Sequence, residues 1–532
     1  MQKNELTSKF IDHTFIKRWS VLFLLTLIFY SHFIFYFLWA NHDWAWVKEQ
    51  TPLFSGLFEG RFSQFILQSI LTEQKILPII TIITALLFYS LGISLILKIA
   101  NLTSNKIYYI LIGLFATTSP YVISWLYFAF ITLSCLSWPF FIILGFILIK
   151  KSNSSKYPLL LKLLATLLFL LSLGGYPPSI SLIGILFFAT ILQDICFNKL
   201  NLKTTTKNAI CYFVSISISV ALLLIIQHYL KKYNLQFSTY NTKSLELNLL
   251  PQKLYDTFIV SINQFTITTN FIPFIYKYLN LCLSLLAVLC LYNKLPKTLS
   301  HISLFIISIF GILLSSTITT LISQNSHYVT YEPRIEFYGI FYIYLLSAIV
   351  LIKYSNQFIK NITTLGLCIL IFSNINNLSY ASKTWKLGFI AETNLMNRIT
   401  THIENKENFN PLKKYTFVQG GVLNFRERYY TKTQNEQTDS YTLSAPYIPW
   451  HLPSKAYKFY TQTDYFGPDF DVYWSYIDKN EIKMTQSLYD YLTYKAKPWP
   501  NSNSIYIDDN TIILTLTTDG KWRAEDWVTK NY

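Results

Sequence analysis

The residues best suited to chemistry lie in a short polar segment directly after the first apolar run. This segment, Asn41–Trp44, reads Asn-His-Asp-Trp, and Gly60 and Arg61 follow it. A carboxylate such as Asp43, held at the rim of a cavity, can remove the proton from an attacking hydroxyl group. A guanidinium group pairs well with a phosphate. The spacing alone leaves another interpretation open, in which Asp43 caps an interfacial helix and Arg61 contacts lipid headgroups.

Three further segments contain residues that interrupt helices. They read Ser119-Pro120-Tyr121, then Gly174 to Pro178 with Tyr176 at the centre, and Tyr331-Glu332-Pro333-Arg334. Irregular backbone at membrane depth is tolerated only against protein or a wet cavity, so these segments could line one, or they could be ordinary tight turns. Arg334 lies in a loop with few other cations, which indicates an anionic partner such as a lipid-linked phosphate.

The composition is that of a membrane protein. Of 532 residues, 52% are hydrophobic and only 14% are charged. The apolar residues gather into runs of about 20, the length of a spanning helix. Eleven spans are predicted, at residues 19–40, 77–97, 107–125, 129–149, 157–173, 179–193, 209–229, 271–292, 301–323, 339–352 and 362–380. The fold class is therefore a polytopic all-α membrane protein.

Lysine and arginine residues in the short connections predict the orientation. Basic residues cluster before the first span and in alternate loops, for example at Lys98, Lys150, Lys203 and Lys353. Since such loops remain on the cytoplasmic side, the N-terminus is predicted inside, and the segment from about residue 381 onward outside. The net charge of +16 comes mainly from these loops, so no nucleic-acid partner is predicted.

The C-terminal segment has a different composition, polar and rich in tyrosine and turn residues. Tyr415–Gln419 alternates like a strand, and Ile505–Ile507 with Thr511–Leu516 flank an Asp-Asp-Asn turn like a hairpin. Met484–Tyr494 has helical spacing. We therefore predict a transmembrane domain at 1–400 and a small extramembrane α+β domain at 411–532. The six cysteines lie in or beside spans with no metal-ligand spacing.

These features resemble the bacterial membrane glucosyltransferases that add glucose to O antigen, within the GT-C superfamily. The resemblance rests on the aspartate of the first outer loop, the Gly60-Arg61 pair, Ser119-Pro120 and the Tyr176 turn, and covers roughly residues 20–400. Members often have two acidic residues in that loop and a glutamine after the tyrosine of the later turn. Here His42 precedes Asp43, and Pro177 follows Tyr176.

The resemblance implies a polyprenyl-phosphate sugar donor and an active site at the outer face of a bacterial inner membrane. It also implies a catalytic role for Asp43. The mechanism that we expect has Arg61 and Arg334 neutralise the phosphate leaving group. The acceptor would be a glycan or glycolipid of the cell envelope. Substrate contacts are predicted at His42, Trp44, Tyr121, Tyr176 and Glu332. No metal ligand is assigned, and a divalent cation would need Glu332 to approach Asp43 from another loop.

Two other classes of function remain open. A flippase or exporter of lipid-linked glycans would have a similar number of spans but would need a polar or cationic route through the bilayer, and the spans contain almost no ionisable residues. A non-catalytic membrane scaffold with a receptor-like outer domain would not need Asp43 or Arg334. A glycan polymerase or ligase is a related enzyme that would use a lipid-linked donor to transfer a chain.

Overall fold

The described part of the chain forms two compact units. The computed structural model describes residues 12–35, 56–57, 60–73, 77–126, 129–198, 200, 202–233, 235, 250–267, 272–322, 333–420, 466–470, 485–508 and 511–516. The first unit, here the helical unit, ends at Ser379, and the second, the C-terminal unit, begins at Tyr380. Helices build the first unit, whereas the second contains a four-stranded sheet.

Sixteen helices precede the sheet in the described residues. They are α1 (His13–Phe35), α2 (Phe62–Thr72), α3 (Pro78–Ile99), α4 (Lys106–Thr117), α5 (Pro120–Leu126), α6 (Ala129–Ser152), α7 (Pro158–Gly175), α8 (Ser179–Cys196), α9 (Leu202–Lys232), α10 (Leu250–Asn263), α11 (Phe274–Lys294), α12 (Leu299–Ser316), α13 (Ile318–Ile322), α14 (Pro333–Tyr338), α15 (Ile340–Tyr354) and α16 (Gln357–Glu404). Proline begins α3 and α7, where its missing N–H costs nothing. The Asn105 side chain caps α4 by accepting hydrogen bonds from two backbone N–H groups.

The helical unit has the composition of a multi-pass membrane protein. Ten of the described helices are long and apolar enough to cross a bilayer, and the bent pair α4 and α5 would make eleven. This confirms the helical, polytopic class predicted from the runs of apolar residues. The bend of 46° between the members of that pair falls at Ser119-Pro120, inside the predicted span 107–125.

Several predicted boundaries differ from the structure. The first helix begins at His13, six residues before the predicted span, and residues 36–40 lie outside the described residues. The last spanning helix does not end near residue 380 but continues to Glu404. A break at Gly339 separates α14 from α15, and the position requires glycine because a Cβ there would lie 2.2 Å from the Ser316 carbonyl oxygen. Hydropathy detects the apolar run but not such helix continuations or close approaches.

The C-terminal unit contains a mixed sheet with strand order β2-β1-β4-β3. The strands are β1 (Tyr415–Gly420), β2 (Phe466–Phe470), β3 (Ile505–Ile507) and β4 (Thr511–Thr515). β1 pairs in parallel with both β2 and β4, and β3 with β4 is the predicted hairpin. The strand at 415–419 and the hairpin are thereby confirmed. β2 was not predicted, and the predicted helix Met484–Tyr494 is observed as α17 (Gln486–Asp490) followed by a π-helical turn to Lys495.

Both faces of this sheet are covered. The C-terminal end of α16 packs its apolar side chains, from Leu395 to Ile403, against Phe417, Ile512 and Leu514. On the other face the Tyr491 ring stacks on that of Tyr506 with centroids 4.8 Å apart. Burial raises the pKa of Tyr491 to about 12. β4 is buried along its whole length, as expected for a strand in a sheet that is covered on both faces.

Candidate functional site

A glycine-containing turn places Arg61 at the start of α2. Gly56 and Gly60 have φ values of 88° and 73°, a left-handed conformation that favours glycine. The Arg61 N–H donates to the Gly56 carbonyl oxygen at 2.5 Å, which closes the turn. The predicted Gly60-Arg61 pair therefore belongs to one turn. The glycine sets the direction of the chain, and Arg61 immediately precedes α2.

Two further glycines bring this turn to Tyr176. A Cβ on Gly174 would lie 2.3 Å from the Phe62 ring, and one on Gly175 would lie 1.9 Å from the Trp138 ring. Only glycine permits such contacts. Phe62 directly follows Arg61, and Tyr176 lies two residues after Gly174. The contact between Gly174 and Phe62 therefore also brings Arg61 close to Tyr176.

Two arginines lie on two aromatic rings that touch each other. The Arg61 guanidinium carbon is 5.2 Å from the Tyr176 ring centroid, and that of Arg334 is 6.0 Å from the Trp125 ring centroid. The Trp125 and Tyr176 rings meet edge to face at 5.1 Å. Tyr338 packs against both rings and its hydroxyl donates to the Cys135 carbonyl oxygen. We call these five residues, Arg61, Trp125, Tyr176, Arg334 and Tyr338, the arginine–ring cluster.

The cluster concentrates positive charge in a largely buried place. Trp125 is fully buried, and Tyr176 and Arg334 are 8% and 9% exposed. Cations on aromatic faces are held by the ring quadrupole, and this attraction grows when water is excluded. A pair of guanidinium groups fixed in this way is suited to binding an oxygen-rich anion, since each can donate two parallel hydrogen bonds to it.

A buried ion pair lies next to the cluster. Lys277 of α11 donates to both carboxylate oxygens of Glu336 at 2.8 Å and to the Gln264 carbonyl oxygen at 2.7 Å. The two side chains are 0% and 3% exposed. Glu336 is on α14, two residues after Arg334 and two before Tyr338. The ion pair therefore ties the helix that carries two members of the cluster to α11.

The bend between α4 and α5 is built into the same region. Pro120 has no N–H for the Ala116 carbonyl oxygen, which accepts hydrogen bonds from the Tyr89 hydroxyl at 3.0 Å and from the Ser119 backbone N–H at 3.4 Å. The Thr117 carbonyl oxygen accepts one from the Tyr30 hydroxyl at 2.8 Å. Side chains thus satisfy the carbonyls that the bend releases, which is what a break at membrane depth requires.

The structure brings three of the predicted site residues together, namely Arg61, Tyr176 and Arg334. Tyr121 is fully buried, with its ring against Tyr276 and Phe341 and the Lys277 ammonium 5.7 Å from its centroid. The ring is enclosed by protein in this structure, and its contact with a sugar stays a prediction. The remaining predicted site residues, His42, Asp43, Trp44 and Glu332, lie outside the described residues.

Four residues of this region were missed by the sequence analysis: Trp125, Lys277, Glu336 and Tyr338. Lys277 carried a usable signal, since a lysine three residues into an apolar helix is costly unless it is paired. Trp125 and Tyr338 carried no signal, because aromatic residues are frequent throughout the spans. Among the described residues no group of three His, Cys, Asp or Glu side chains could hold a metal ion.

Comparison with known proteins does not assign the chain to a family. No protein-family model, no curated protein and no solved structure matches it. The function must therefore be argued from the residues and their arrangement.

Proposed function

We propose that the protein is a membrane glycosyltransferase, a hexosyltransferase that moves a sugar from a polyprenyl-phosphate donor to a cell-envelope glycan. The observation that carries the proposal is the arginine–ring cluster, in which Arg61 and Arg334 lie on two adjoining rings although they are far apart in the chain. A phosphate is the anion that two such guanidinium groups fit best. Glucose as the sugar and O antigen as the acceptor rest on the resemblance alone.

The proposed reaction is a substitution at the anomeric carbon. Asp43 takes the proton from the acceptor hydroxyl, whose oxygen forms the new bond to that carbon. The bond from the anomeric carbon to the phosphate oxygen breaks, and the negative charge that develops on the polyprenyl phosphate is stabilised by Arg61 and Arg334. Tyr176 and Trp125 hold the two guanidinium groups in place.

The same proposal includes a location and an orientation. Lys98, Lys151 and Lys353 lie at helix ends opposite the end of the bundle that carries Arg334. With lysine-rich ends on the cytoplasmic side of a bacterial inner membrane, the arginine–ring cluster would lie near the periplasmic surface. The C-terminal unit would then be periplasmic, on the side where an acceptor glycan of the envelope is found.

The test is transfer of radiolabelled glucose from polyprenyl-phosphate glucose to envelope glycan in membranes that carry the protein. We expect Asp43→Asn to abolish transfer and Arg334→Gln to lower it by about 100-fold, the loss seen when one charge-stabilising donor is removed. Arg398→Gln is the matched control. Arg398 also lies on a tryptophan ring, 5.9 Å from the centroid of Trp499 in the C-terminal unit.

Two outcomes would contradict the proposed mechanism, and a third would contradict the enzyme itself. Equal transfer by wild type and Asp43→Asn would make Asp43 structural. An equal loss of transfer in Arg334→Gln and Arg398→Gln would mean that both substitutions act through folding. Absence of transfer by wild type, with insertion at normal levels, would favour the scaffold or exporter.

The buried pair of Lys277 and Glu336 favours a second candidate, an exporter of lipid-linked glycans. Ionisable side chains between membrane helices often mark a route for protons or ions. Such side chains are few in the spans, and this pair is an exception. An exporter would move labelled lipid-linked glycan across the membrane of proteoliposomes. An ionophore that collapses the proton gradient would stop this transport. A glycosyltransferase that uses a lipid-linked donor needs no such gradient.

A further inference from the structure

A large apolar cavity lies in the helical unit, toward the end that carries Lys353. Its volume is about 530 Å³, within the range of ligand-binding pockets. Residues of α3, α6, α8, α10, α11, α12 and α15 line it. Along α11 the lining extends from Leu281 to Leu291, a rise of about 15 Å. That length equals the hydrocarbon depth of one leaflet, about half of the bilayer core.

The lining is suited to a hydrocarbon chain and opens toward lipid. It consists almost entirely of aliphatic and aromatic carbon, and a cavity of that kind stays free of water. Two of its lining residues, Ile262 and Leu285, are 48% and 58% exposed, so the cavity is open on one side of the helical unit. Around a membrane-spanning chain, the molecules available at such an opening are lipids.

A cation and two stacked rings lie at one end of the cavity. Lys353, Tyr354 and Phe197 all line it there. The Tyr354 and Phe197 rings stack with centroids 3.5 Å apart, and the Lys353 ammonium lies 4.8 Å from the Tyr354 centroid. Within the described residues, no carboxylate lies at ion-pair distance from Lys353. The carboxylate of nearby Asp194 accepts hydrogen bonds from Asn198 and Asn208 instead.

We propose that this cavity binds one acyl chain of an anionic phospholipid, with the phosphate of the headgroup at Lys353. The apolar length fits the chain, and the ammonium at its end fits the charge. This site is separate from the arginine–ring cluster. Arg334 lies on α14, before the start of α15, and Lys353 lies near the end of α15, about 20 Å along that helix from Ile340. The inference therefore holds or fails independently of the proposed glycosyltransferase activity.

The test is photolabelling of the full chain in phosphatidylcholine vesicles. The probe is phosphatidylglycerol with a diazirine near the end of one acyl chain, and the labelled residues are identified by mass spectrometry. We expect labels on buried cavity residues such as Leu291 and Ile349. Lys353→Gln should lower labelling about five-fold, the effect of one lysine near an anionic headgroup. Ala287→Phe and Ala189→Phe, which fill the cavity from two walls, should abolish it.

Two matched variants separate the site from general effects on lipid contact. Lys360→Gln removes a lysine that does not line the cavity, and Leu289→Phe adds an aromatic ring on the exposed face of α11. Both should label like wild type. The proposal is overturned if a phosphatidylcholine probe labels the cavity equally well and Lys353→Gln has no effect, or if labels fall only on lipid-facing residues. It is also overturned if an isoprenoid phosphate probe labels the cavity and displaces the phosphatidylglycerol.

Discussion

The helical unit and the C-terminal unit place their side chains in opposite ways. In the helical unit, large apolar residues such as Phe213, Ile218 and Leu289 are about half exposed, whereas Ser219 is fully buried. In the C-terminal unit the apolar residues Ile512 and Leu514 are fully buried. The difference shows that the two units face different solvents.

Lipid and water explain the two arrangements. Lipid tails are as apolar as leucine, so membrane helices gain nothing by burying leucine and associate through small residues and hydrogen bonds. Ser219, for example, donates to the Thr166 carbonyl oxygen on the neighbouring helix at 2.8 Å. Water instead drives apolar side chains together, as between α16 and the sheet. Four substitutions test this comparison, in order of decreasing effect.

The largest effect is expected for Lys277→Met, which leaves the Glu336 carboxylate buried without its cation. Breaking a buried pair from one side costs about 3–5 kcal/mol. The purified protein should therefore unfold at a clearly lower temperature in detergent, followed by tryptophan fluorescence. The double variant Lys277→Met/Glu336→Leu should regain much of the loss because no charge remains buried. An unchanged melting temperature for the single variant would mean that the pair does not stabilise the bundle.

Ile512→Ala should destabilise the C-terminal unit by about 2–5 kcal/mol, since it removes buried methyl groups from a water-driven core. The measurement is amide hydrogen exchange of the full-length protein. Faster exchange is expected in peptides from β1, β4 and the end of α16, and not in α3 or α6. Faster exchange throughout the helical unit would contradict the division into two units.

Ile218→Arg should cost about 3 kcal/mol, because it places a cation on the lipid-facing side of a candidate span. Leu412→Arg is the matched control in the C-terminal unit, where Leu412 is 93% exposed. We expect membrane insertion, measured by protease protection and yield, to fall for the first variant alone. Similar yields for both would show that Ile218 does not face lipid.

Ser219→Ala should have the smallest effect, about 0.6 kcal/mol, the average value for a hydrogen bond between membrane helices. The measurement is the melting temperature of Ser219→Ala compared with that of wild type. A loss as large as that of Ile512→Ala would mean that the helical unit depends on single hydrogen bonds, and the comparison with the C-terminal unit would fail.

Much of the architecture could be predicted because its signals are local. A run of about 20 apolar residues indicates a span wherever it folds, and the alternation in Tyr415–Gln419 and the hairpin at 505–516 depend on neighbouring residues only. The prediction failed where the signal is not local. The continuation of α16 to Glu404 depends on its packing against the sheet, and β2 is defined by its pairing with β1.

By itself, the sequence determined the helical class and the approximate positions of the spans, and it singled out Arg61 and Arg334 as candidate phosphate ligands. Only the tertiary structure decided that Arg61, Tyr176 and Arg334 share one cluster with Trp125. The physical reason is close packing between distant segments. Gly174 and Gly175 admit rings that any side chain would exclude, and the pair of Lys277 and Glu336 joins two helices. Such contacts depend on shape in three dimensions, which no spacing along the chain encodes.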